Sequence, residues 1–208
     1  MVHFAAEQVV HFVAESVVHF HPEWGGTLSP EYSMKPLVQV GQAYLALSEG
    51  EEKLRKGLFE EAAASYNRAM IVSRTIPEDE AYDHQGFDAL CHTGLAESMV
   101  SLQHFKEALA SADIALHYFN RRGELNKDEG KHWINAVRSR AAALEGTGRP
   151  EEALKAYQMV SEMIAERKAE IPGREEQIRI IAQHISRLKG AQSGKKPASY
   201  KAWWEFWS

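Results

Sequence analysis

Lys56-Gly57-Leu58-Phe59-Glu60-Glu61-Ala62-Ala63-Ala64-Ser65-Tyr66-Asn67-Arg68-Ala69 decides the fold, because the chain writes a version of this stretch three times. The second is Gln103-His104-Phe105-Lys106-Glu107-Ala108-Leu109-Ala110-Ser111-Ala112-Asp113-Ile114-Ala115. The third is Gly148-Arg149-Pro150-Glu151-Glu152-Ala153-Leu154-Lys155-Ala156-Tyr157-Gln158-Met159-Val160. Each has a turn, polar or charged residues, an alanine, and a second small or apolar residue seven positions later. Seven residues are about two helical turns, so both small residues share one face and let another helix come close. The anchoring alanines Ala62, Ala108 and Ala153 recur 46 and 45 residues apart. Self-similarity at a near-fixed period is the signature of a stacked repeat.

Gly57, Phe59, Ala62, Tyr66 and Ala69 resemble the second helix of the tetratricopeptide repeat: a turn glycine, an aromatic, Glu-Glu-Ala, a further aromatic and an alanine. The second copy keeps Phe105, Ala108 and Ala115 but carries Gln103 and Ala112. The third keeps Gly148, Ala153 and Tyr157, with Pro150 and Val160 as departures. Upstream, the small residue at the hairpin crossing falls on Gly50, Ala96 and Ala141; Leu95 fits the leucine before it, whereas Glu49 and Arg140 depart. The resemblance spans residues 38 to 170. It implies an all-α fold: a right-handed α-solenoid of three antiparallel helical hairpins, closed by a C-terminal capping helix. The period exceeds the usual 34 residues. Thr75-Ile76-Pro77-Glu78 and Asn126-Lys127-Asp128-Glu129 read as capped helix starts, so the extra length is expected in helices of about five turns with short loops.

Around this domain, placed at residues 37–190, the chain has two different ends. Residues 1–36 form an extension in which Val2-His3-Phe4, Val10-His11-Phe12 and Val18-His19-Phe20 recur every eight residues. His3, His11, His19 and His21 could be read as a metal cluster, or as a short-period duplication ahead of a true start at Met34. A spacing of eight brings helical histidines together poorly, so no metal site is expected. Residues 191–208 read as a basic linker and an aromatic tail containing Trp203, Trp204, Phe206 and Trp207. Such a tail carries more apolar surface than a free end normally exposes, so docking on protein is favoured over contact with a membrane surface. Between them, Ile178, Ile181, Ile185 and Leu188 recur at three, four and three, the stripe of a helix that closes a solenoid.

With 208 residues, a net charge of −5 and dispersed charges of both signs, nothing suggests a nucleic-acid surface. The lone Cys91 has no internal disulfide partner and reads as a small buried hydrophobe in a reducing, cytoplasmic protein. No glycine-rich phosphate loop, His-Glu-x-x-His, nucleophile elbow or paired Cys-x-x-Cys occurs, so neither an enzyme nor a cofactor is expected.

The resemblance implies that ligands contact the first helix of each hairpin. Counting back from the anchors places Tyr44, Leu47, Glu51 and Leu54 in the groove, then Leu90, Thr93, Glu97 and Val100, then Asn135, Arg138, Ala142 and Glu145. One subfamily clamps a C-terminal carboxylate with cations, at positions that here hold Leu47, Glu51, Gly94, Asn135 and Ser139. None is a cation, which disfavours that ligand. The expected function is non-catalytic recognition of a protein or peptide with apolar anchors and room for a basic residue. The alternative is a self-assembling structural protein whose aromatic tail fills a neighbouring subunit's groove.

Overall fold

The computed structural model describes residues 30–193. Seven α-helices follow one another: α1 (Pro30–Arg55), α2 (Phe59–Ser73), α3 (His84–Ser101), α4 (Phe105–Arg122), α5 (Gly130–Gly146), α6 (Pro150–Glu166) and α7 (Arg174–Ser193). Among the described residues there is no strand. The Val-His-Phe repeat and the four tail aromatics lie outside the described residues.

The three repeated stretches fold as three copies of one turn. Leu58 N–H bonds to Lys53 O at 3.0 Å, His104 N–H to Met99 O at 2.9 Å, and Arg149 N–H to Leu144 O at 2.9 Å. This six-to-one bond needs a left-handed residue just before the donor. Gly57 (φ 77°) and Gly148 (φ 75°) supply it freely, whereas Gln103 adopts it at φ 61°. None of α2, α4 and α6 has a side-chain N-cap bond. Instead, Glu60 and Glu61, Glu107, and Glu151 and Glu152 place negative charge in the first turns, where the helix dipole is positive. That is the physical use of the polar residues before each anchor.

Ala62, Ala108 and Ala153 are fully buried, as are Ala96 and Ala141 on the facing helices. These small residues let each hairpin close. α1 pairs with α2, α3 with α4 and α5 with α6. Each second helix then packs on the next first helix, and α7 packs on α6. The core divides into two clusters, one around Tyr66, Phe87 and Cys91 and the other around Phe119, Leu144, Val160 and Ile164.

The added period lies in the connections more than expected. α3 starts after Asp83, which accepts from Gly86 N–H at 2.9 Å, and not at Thr75. The Thr75 hydroxyl turns back to Val72 O at 2.7 Å, so it finishes α2. α5 likewise starts at Gly130, and Asn126 accepts from Lys168 N–H at 2.8 Å across the next loop. Residues 74–83 and 123–129 are therefore connections. Arg167, itself buried, donates to Leu125 O and to Lys127 O, pinning the second of them. Arg174 binds Ile164 O, Arg167 O and Ala169 O at the end of α6, which satisfies orphan carbonyls there.

α7 begins at Arg174, as the apolar stripe implied. Ile181 and Leu188 are buried and Ile185 is half-buried, but Ile178 remains 39% exposed. At the other end α1 begins at Pro30, ahead of the boundary expected at residue 37.

Candidate functional site

α3 packs on both α1 and α5, while α2, α4 and α6 make no such contact with one another. First helices that approach while second helices spread put the first helices on the inner side of a curve. Their outward residues consequently form one continuous face.

Of the twelve residues placed on that face from sequence, ten keep some exposure. Tyr44 is exposed, and Glu51, Leu54, Leu90, Glu97, Val100, Asn135, Arg138, Ala142 and Glu145 are half-buried. Leu47 and Thr93 are corrections. Leu47 is 8% exposed within the core cluster, and Thr93 is 2% exposed with its hydroxyl bonded to Ala89 O. Burial leaves these two positions no surface for a ligand.

Charge on this face is largely neutralised from within. Arg138 donates to Glu97 at 2.9 Å, tying α5 to α3 across the floor. Glu145 accepts from Arg187 at 2.6 Å and from the Tyr157 hydroxyl at 3.2 Å, and lies 3.0 Å from His184 Nδ1. His184 also stacks on Tyr157 with ring centroids 4.6 Å apart. The last helix therefore reaches α5 and engages Glu145. Glu97 and Glu145 are therefore both paired within the chain.

Glu51 is different. Among the described residues it has no ion pair within 4.0 Å. Partial burial raises its pKa, and the positive Lys131 on α5 and Arg55 on α1 oppose that rise. Lys131 was not singled out from the sequence. Its influence on Glu51 comes from the stacking of three hairpins, which no local motif records. The Tyr44 ring meets Phe87 at 5.1 Å and Tyr82 at 6.5 Å, both edge to face. Asn135, half-buried on α5, carries an amide with no hydrogen bond among the described residues.

A shallow crevice of about 530 Å³ opens on the outer side between α4 and α6, lined by His117, Lys155 and Met159 among others. Its Arg140 is paired with Asp113 at 2.7 Å. Cys91 is fully buried, and loss of hydration raises its thiol pKa, which suits a packing role. Among the described residues, no group of three or more His, Cys, Asp or Glu side chains is arranged to hold a metal ion.

A family model described as a domain of unknown function, DUF3856, matches residues 35–177, which is most of the chain. The chain belongs to this family. Among solved structures it is similar to a TPR-like protein from Chlorobium tepidum TLS, with 56% sequence identity and a TM-score of 0.72. That match covers 75% of this chain and 99% of the Chlorobium protein. No curated protein matches the sequence. The chain thus has a TPR-like helical fold. No helix among the described residues is long and apolar enough to cross a membrane.

Proposed function

We propose that this chain is a non-catalytic scaffold that binds a protein or peptide along the inner face of α1, α3 and α5, its three hairpins acting as tetratricopeptide repeats of lengthened period. The observation that carries this reading is the continuity of that face, created by the packing of α3 on both of its neighbouring first helices. The face offers an aromatic entrance at Tyr44, half-buried apolar side chains at Leu54, Leu90 and Val100, an uncommitted Asn135 amide and an unpaired Glu51. Apolar anchors with a few fixed polar groups are what a peptide groove needs. A cytoplasmic setting and the absence of a cofactor requirement belong to the same proposal, and the negative net charge argues against a nucleic-acid partner.

The internal pairing of Glu97 and Glu145 narrows the ligand. A strongly basic peptide would find only Glu51, beside Lys131, so the fitting partner is mainly apolar with at most one basic residue. The test is selection of displayed random peptides on the immobilised chain, followed by competition against Tyr44→Ala and Asn135→Arg variants. The proposal expects both variants to lose the selected peptides while keeping wild-type circular dichroism. Undiminished capture by both would place binding elsewhere.

A further inference from the structure

We propose that the crevice on the outer side between α4 and α6 binds a small organic acid, a carboxylate carried on an apolar body. α5 packs against both α4 and α6, whereas those two helices do not pack on one another. The gap between them is therefore floored by α5, and its volume of about 530 Å³ falls within the range of small-ligand sites. Leu116, Val137 and Ala156 are buried at its base, and the half-exposed Met159 lines it as well. These four supply the apolar part of a site.

The polar part is an excess of uncommitted donors. Both carboxylates that line the crevice are engaged: Asp113 accepts from Arg140 Nε at 2.7 Å, and Glu152 accepts from Arg149 through two bonds of 2.7 and 2.6 Å. The donors are not. Lys155 and His117 make no hydrogen bond or ion pair among the described residues, and Lys155 acts on Glu152 only at longer range. Arg140 uses Nε alone, which leaves its two terminal nitrogens without a bond among the described residues. Asn120 is oriented by Trp133. The indole can only donate, so the amide oxygen takes that bond at 3.0 Å and the NH2 group is left without an acceptor. Arg140, Lys155 and the adjoining Arg149 thus stand against two carboxylates, on a chain whose net charge is −5.

These donors belong to this crevice and not to the repeat. By the spacing of the anchoring alanines, Arg140, Lys155 and His117 correspond to Leu95, Ala110 and Ile71 in the preceding copy. Stacking one hairpin on the next therefore requires neither a cation nor an imidazole at those positions. A few polar groups beside an apolar base are what fixes the orientation of a small ligand. A carboxylate takes charge-assisted bonds from Arg140 and Lys155, while its carbon body lies against Leu116, Val137 and Met159. This crevice is on the other side of the molecule from the face of α1, α3 and α5, so it stands or falls independently of the peptide-binding proposal.

The test follows the amide NMR spectrum of the full chain during titration with hexanoate, hexan-1-ol and acetate. Hexanoate should shift the signals of residues 113–120 and 152–159 saturably, with a dissociation constant on the order of 1 mM for so small a probe. Hexan-1-ol lacks the charge and should bind about tenfold more weakly. Acetate lacks the apolar body and should not saturate. Lys155→Gln should weaken hexanoate about three- to fivefold. Because Lys155 has no partner to lose, that variant keeps its fold, which far-UV circular dichroism verifies. Equal binding of the acid and the alcohol would reduce the crevice to an apolar patch and overturn the proposal. Equal binding of acetate would reduce it to a plain anion site, with the same consequence. Shifts confined to the inner face, an affinity indifferent to Lys155→Gln, or no saturation at all would each overturn it too.

Discussion

The Tyr66 ring lies against the bare backbone of Gly94, where a Cβ would stand 2.6 Å from both ring Cε atoms. Gly50, on α1, faces the same ring, and a Cβ there would sit 2.8 Å from Cε1. Tyr66, on α2, is thus a wedge between the first helices of two successive hairpins, and it is 1% exposed. Gly94→Ala should destabilise the fold. The helix-propensity gain of about 1 kcal/mol is outweighed where overpacking costs about 1–3 kcal/mol. Gly41→Ala, with open space around its Cβ, should instead gain up to about 1 kcal/mol. Urea unfolding of the two variants side by side checks the opposite signs.

Gln103 occupies the left-handed turn position that Gly57 and Gly148 fill in the other hairpins. A side chain in that conformation costs about 1 kcal/mol relative to glycine. Gln103→Gly is expected to raise stability by about 0.5–1 kcal/mol, less what is lost to the greater freedom of glycine in the unfolded chain. A change in the urea midpoint without a change in slope would verify it, and a destabilised variant would contradict it.

His132, near the start of α5, has its pKa pushed down to about 3, chiefly by loss of hydration and further by Lys131 and Arg167. A folded-state pKa below the unfolded value means that the unfolded chain takes up the proton first. The stability from the neutral imidazole is therefore complete above the unfolded value of about 6.5 and is lost as pH falls toward the folded one. Linkage allows a loss of up to about 2 kcal/mol between pH 7 and pH 5. His132→Gln should flatten that part of the stability–pH curve. An unchanged slope would show that another group dominates it.

Glu51→Lys and Glu97→Gln should act differently on a selected peptide that carries one basic residue. Reversing the unpaired Glu51 is expected to weaken binding about tenfold, most at low salt. Glu97 is already bonded to Arg138, so its neutralisation should change affinity less than about twofold. Fluorescence anisotropy at two salt concentrations separates the two; equal losses would remove Glu51 as the distinguishing group.

The anchors Ala62, Ala108 and Ala153 were legible because a position that admits only a small residue at a crossing leaves the same mark in every copy. Counting from those anchors put Tyr44 and Asn135 on the first helices at positions that keep some exposure. Leu47 and Thr93 were misplaced because their burial depends on how neighbouring helices pack, which no sequence period records. The helix starts at Thr75 and Asn126 were misread for a related reason: a hydroxyl or amide followed by a glutamate fits a cap, a turn or a tie to the next loop equally well.

The sequence by itself determined the three hairpins, their order and the closing helix, since turns, dipole-compatible charges and small-residue spacing all act within about two helical turns. Only the tertiary structure decided which charges on the first helices are paired. Glu97 meets Arg138 from 41 positions away and Glu145 meets Arg187 from 42, over a spacing set by the stacking of whole hairpins. The crevice between α4 and α6 is likewise a tertiary result, because two helices leave a gap between them only after both have packed on α5.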